Sequence, residues 1–124
     1  MVRIDLDEGY AYDLLSIAAV KVAKKPVEQN LRNHHRLEDQ LVSQVGGLVH
    51  SRILSSEEYN ALYHTNLALF NHIDDMKARE PRLSDAQLVD QYNYARYTHK
   101  RAIQERFFGT ALNEQKIGYT QEAA

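Results

Sequence analysis

The sequence has no cysteine, which removes a disulfide framework, a thiolate zinc site, an iron–sulfur cluster and cysteine nucleophile chemistry together. Proline is scarce as well, with two residues in 124, and glycine occurs five times. Strand-like alternation of β-branched residues is almost missing, so long helices separated by these few breakers are the economical reading. The longest apolar runs, such as residues 17–20, fall far short of the about 20 residues that cross a bilayer. Neither charge sign is in large excess. Fifteen Lys and Arg face seventeen Asp and Glu, for a net charge of -2, and no global field collects polyanions. Residues 1–8 carry three acids and one arginine, the opposite of the basic start of a secretory signal, which makes the cytoplasm the expected location.

What is present suits a chain that folds around its own core. Hydrophobic residues make up 44% and charged residues 26%, and 124 residues suffice for one helical domain, 1–124, but not for two. Breakers and charge order then predict four helices. The first, 7–25, has acids early (Asp7, Glu8, Asp13) and bases late (Lys21, Lys24, Lys25), as the helix dipole favours. Tyr10, Leu14, Ile17 and Ala18 share one of its faces. Pro26 ends it and opens a second helix, 27–54, striped by Leu31, Leu41, Val45 and Leu48. Gly46 and Gly47 fall inside that run at a cost of about 1 kcal/mol each, which predicts a kink, a close backbone neighbour or a division into two shorter helices.

Ser55 and Glu58 have capping-box spacing and open a third helix, 56–80, whose seam is Tyr59, Leu62, Asn66, Leu69, Ile73 and Met76. Pro81 stops it. Ser84 and Gln87 repeat the pattern before a fourth helix, 85–108, with Leu88, Tyr92, Ala95, His99, Ala102, Ile103 and Arg106 on one side and Gly109 as its stop. Residues 110–124 form a tail, docked at first and frayed at its end. The expected product is an all-α, antiparallel up-down-up-down four-helix bundle with a short, partly disordered C-terminal tail.

Polar residues written into apolar seams are the most informative feature. His34 and Glu38 stand four apart within the series Leu31, His34, Glu38, Leu41 and Val45, while His99 and Asn66 take equivalent places in the fourth and third helices. Two readings follow. In one, Glu38 accepts from His99 or an arginine in a buried network that sets helix register. In the other, His34, Glu38, His99 and Asn66 hold a divalent metal in the bundle core. A one-step change of register would turn His35 inward in place of His34. The His34-x-x-x-Glu38 pair resembles one element of a hemerythrin-type site, but no two histidines stand four apart, so neither oxygen binding nor iron is carried over. His50, His64 and His72 are assigned to solvent, His72 beside Asp75.

The fourth helix interleaves Tyr92, Tyr94 and Tyr97 with Arg96, Lys100, Arg101 and Arg106, yet its tyrosines point to different sides and cannot form one stacking platform. With a near-neutral chain this argues against nucleic acid. Eight tyrosines exceed the needs of a narrow core, and Tyr94, Tyr97, Phe107 and Phe108 are the candidate interface residues. No phosphate loop, nucleophile elbow or zinc-protease motif occurs, and the adjacent pairs Asp74/Asp75 and Glu57/Glu58 diverge by about 100° on a helix. The functional expectation is a small non-catalytic interaction or structural protein that self-associates or docks a protein partner, without membrane or cofactor. The metal-binding bundle is the alternative.

Overall fold

A computed structural model describes residues 2 and 4–113. The described chain is all-helical, with five helices: α1 (Glu8–Lys24), α2 (Glu28–Val45), α3 (Gly47–Leu54), α4 (Glu57–Lys77) and α5 (Leu83–Phe108). The fifth helix arises because the expected second helix divides at the glycine pair. Gly46 sits at φ 94°, ψ 144°, a conformation that L side chains avoid, and it is at once the C-cap of α2 and the N-cap of α3. Of the outcomes foreseen at that pair, division is the one found.

The other boundaries have local causes. The open carbonyls at the end of α1 are met by Asn30 of α2, whose Nδ2 donates to the Lys25 oxygen at 2.9 Å. The cap of α4 is Ser56, one residue later than the expected Ser55. Its Oγ accepts from the Tyr59 amide at 3.1 Å and donates to the Ile53 oxygen at 2.6 Å, so one hydroxyl ties the end of α3 to the start of α4. The α5 cap is likewise displaced. Asp85, not Gln87, reaches back, accepting from the Arg82 amide at 2.7 Å and from Arg79 at 2.9 and 2.6 Å, which pins the connection from α4. Gly109 closes α5 as expected. Past it, Leu112 is buried and the Asn113 amide donates to Asp7 at 2.7 Å, so residues up to 113 are docked. The expectation for 114–124 lies outside the described residues.

The core joins Tyr12 and Leu15 of α1, Ile53 of α3, Tyr59 and Leu62 of α4 and Ile103 of α5, with Leu37, Leu41, Val45, Val49, Leu54, Phe107 and Phe108 packed on it. Each fully buried leucine or isoleucine contributes roughly 1.5–3 kcal/mol. Helix α1 lies against α2, α4 and α5, and α4 and α5 make the most extensive pairing, whereas α2 lies against α1 and α3 alone. Gly9 meets Gln104 and Asp13 meets Arg96, so advancing along α1 moves backward along α5. Asp13 meets Asn66 and Lys24 meets Asn71, so α1 and α4 advance together.

Two of the expected faces are rotated. In α1 the buried set is Gly9, Tyr12, Asp13, Leu15, Ser16, Ala18 and Val20, while Leu14 is 37% exposed. Counting apolar spacing alone misplaced it, because Asp13 and Ser16 share the buried side. In α5 the buried residues are Asp85, Tyr97, Lys100, Ile103 and Gln104, while Leu88 and Arg106 are exposed. The α4 seam stands: Tyr59, Leu62, Asn66 and Leu69 are buried.

Candidate functional site

Two buried polar clusters join the helices. The first crosses α1, α3 and α2. His50 Nδ1 lies 2.8 Å from the Tyr12 hydroxyl and His50 Nε2 lies 3.0 Å from Glu38 Oε2. An ionised carboxylate only accepts, so Nε2 carries a proton, and in the neutral imidazole Nδ1 is then the acceptor for the Tyr12 O–H. Burial, followed by the nearby Glu38 charge, pushes the Tyr12 phenol up to about 12. Tyr59 stands edge-on to Tyr12, centroids 6.3 Å apart, and its phenol is raised for the same reasons in the same order.

Carboxylate, imidazole and hydroxyl in this order form the chain that activates a nucleophile in hydrolases. Here the hydroxyl is fully buried and harder, not easier, to ionise, so the chain supplies no attacking group. Its physical effect is mechanical. Glu38 of α2, a helix with no buried residue, is clipped through one imidazole to the centre of the core.

The second cluster surrounds Asp13, 1% exposed. Its carboxylate accepts from Arg96 Nη2 at 2.8 Å and Asn66 Nδ2 at 3.0 Å, and Lys100 Nζ lies 3.9 Å away and 4.0 Å over the Tyr10 ring. Ser16 Oγ donates to the Asp13 carbonyl at 2.9 Å and lies 2.5 Å from Asn66 Nδ2. One carboxylate thereby joins α1, α4 and α5. Removing one partner of so buried a pair leaves the other unmatched, at a cost of about 3–5 kcal/mol. Asn66 Oδ1 and Arg96 Nε, both beside this cluster, have no hydrogen-bond partner among the described residues.

These contacts place the residues singled out in the sequence. Glu38 meets His50 and Asn66 meets Asp13 and Ser16, so the structure brings neither of them to His99. His34 and His99 are half-buried, and burial lowers the His99 pKa. Among the described residues no three His, Cys, Asp or Glu side chains converge as a metal cage. His50 is buried, contrary to its expected solvent position, because the division at Gly46 turns α3 onto the core. His72 is also largely covered, with Nε2 3.5 Å from Asp85 Oδ1, and does not pair with Asp75. The Arg79 contact, then the Arg82 amide, hold the Asp85 carboxyl well below the usual carboxylate range. Tyr97, expected on the outer side of α5, is 7% exposed within the chain, and Tyr94 leans on it with centroids 6.5 Å apart. Phe107 and Phe108 pack on the core edge.

Sequence reasoning missed Asp13, Ser16 and His50. A signal was present: Tyr10, Asp13 and Ser16 recur at three-residue spacing, as do His50 and Ile53.

Open surface features gather along the seam of α1 and α2. A recess of about 280 Å³ has an apolar floor of Leu14, Ile17, Ala18 and Leu37, with Lys21 and Arg36 on its rim. A second, of about 230 Å³, shares Leu14 and Leu37 and adds Leu6, Leu41 and, at its edge, Asp5. No helix among the described residues is long and apolar enough to cross a membrane. The sequence matches no family model, and neither the curated proteins nor the solved structures contain a match to this chain.

Proposed function

We propose that the chain is a small non-catalytic helical interaction protein of the cytoplasm that self-associates through α2. In this reading α2 and α3 together form one limb of an up-down-up-down bundle, and the two buried polar clusters set its register. One observation carries the reading: α2 has an apolar stripe yet buries none of its residues completely. Val27, Leu31 and Val42 remain 42%, 48% and 36% exposed. At 100° per residue these three stand within about 60° of one another, beside the line of Glu38 and Val45 that turns toward the core. Apolar area concentrated on one flank of a surface helix is characteristic of an interface, and a net charge of -2 gives two copies little long-range repulsion.

Light scattering across a concentration series tests it. The expected particle mass is a multiple of 14.3 kDa, and Leu31→Lys, at an exposed position, should return it to the monomer with an unchanged helical spectrum. A monomer at every concentration would refute self-association.

A further inference from the structure

The two recesses between α1 and α2 share Leu14 and Leu37, so they form one furrow, apolar in the first recess and mixed in the second, where Gln40 and Gln44 join Leu6 and Leu41. Its ends differ in charge. Lys21 and Arg36 rim one recess, no acid lines it, and neither cation has a carboxylate partner among the described residues. Arg36 makes only a 3.4 Å contact with Asn33, a neutral side chain. Asp5 borders the other end. At about 280 and 230 Å³, and open to solvent, neither recess would enclose a small organic ligand, which takes roughly 300–1,000 Å³ and loses most of its surface on binding. Two adjoining recesses that share Leu14 and Leu37 instead match successive anchors of an amphipathic helix laid in a groove.

We propose that this furrow docks an acidic amphipathic helix of a protein partner, its apolar side chains filling the two recesses and its carboxylates meeting Lys21 and Arg36. The site lies on a different flank of α2 from Val27, Leu31 and Val42: Asn33, Arg36, Leu37 and Gln40 face the furrow. The proposal rests on the interaction reading above and names the chemistry of one partner. Free cations select the sign of that partner, and the Asp5 end sets its direction through like-charge repulsion.

The test uses the full chain and a synthetic end-capped helical peptide with leucines in the i, i+3, i+4, i+7 pattern and glutamates at one end. A companion peptide carries lysines in place of the glutamates. Binding is read by fluorescence anisotropy, and its location by amide chemical-shift changes. The acidic peptide should bind, with shifts along α1 and α2, and the lysine peptide should not. Lys21→Glu with Arg36→Glu, both at exposed positions, should weaken the acidic peptide by about tenfold and let the lysine peptide bind. A merely structural role for these two cations would not produce that exchange of preference. Equal binding of both peptides, shifts away from the furrow, or no binding up to millimolar concentration would overturn the proposal. Light scattering on the same samples keeps the two ideas apart, since an oligomer that ignores the peptide refutes the furrow alone.

Discussion

Gly9→Ala separates what helix propensity expects from what the packing demands. Gly9 lies in the first turn of α1, where alanine ordinarily stabilises a helix by up to about 1 kcal/mol. A Cβ there would stand 2.3 Å from the Lys100 carbonyl oxygen, 3.2 Å from its carbon and 3.3 Å from Leu112 Cδ2. The first distance is about 1 Å short of an ordinary carbon–oxygen approach. The obstacle is backbone in the middle of α5 at a buried residue, so it cannot swing aside as a side chain would. If α1 shifts instead, the bond from the Gly9 amide to Gln104 Oε1, now 2.7 Å, lengthens, and Tyr12 and Leu15 lose their fully buried fit. Overpacking of this kind costs about 1–3 kcal/mol, and the hydrogen bond about 1 more. After the propensity gain the net loss is about 1–3 kcal/mol, or roughly 4–10 °C in Tm for a domain of this size. Urea unfolding followed by circular dichroism, with thermal melts, measures it. Stability equal to or above the parent would refute the close approach of α1 to α5.

The glycine pair should give opposite signs: Gly46→Ala is expected to cost about 1–3 kcal/mol through φ 94° alone, whereas Gly47→Ala, with open space around it, should be neutral or stabilising by chemical denaturation. Tyr12→Phe strips His50 Nδ1 of its donor and should cost about 1–3 kcal/mol in the same assay. Because the Tyr12 phenol is raised to about 12 in the fold, its stabilisation is present below the ordinary phenol value near 10 and is lost as pH rises toward 12. The parent should therefore lose stability across that window, and Tyr12→Phe should show a shallower fall. Asp85 works in the opposite direction: its folded pKa is depressed, so its contribution is present above the ordinary carboxylate range and disappears as pH falls through the folded value. Asp85→Asn should flatten the acid limb of the stability curve, and an unchanged limb would contradict the Arg79 contact.

The legibility of this chain followed how far its helices bury apolar residues alone. The α4 seam, Tyr59, Leu62, Asn66 and Leu69, was readable because three of its four buried positions carry large apolar side chains at regular spacing. In α1 and α5 the buried sides include Gly9, Asp13, Ser16, Asp85, Lys100 and Gln104, which hydropathy assigns to solvent. Their burial depends on partners distant in sequence, such as Arg96 for Asp13 at a separation of 83 residues, and no local pattern encodes such a pairing. The division at Gly46 was foreseen only as one of several outcomes. Once it occurs, His50 turns inward, so Glu38 finds His50 where the unbroken helix suggested His99. Asn66 is thus buried and Glu38 reaches the core, but through partners that are not the ones expected, and His34 and His99 are only half-buried.

The proposal that α2 carries the self-association face is tested most directly by amide hydrogen exchange at two protein concentrations, one below and one above the association midpoint that light scattering would give. The account predicts added protection within α2, over the turns bearing Val27, Leu31 and Val42, with the amides of α4 unchanged. Added protection elsewhere, or none at all despite an increase in mass, would contradict it.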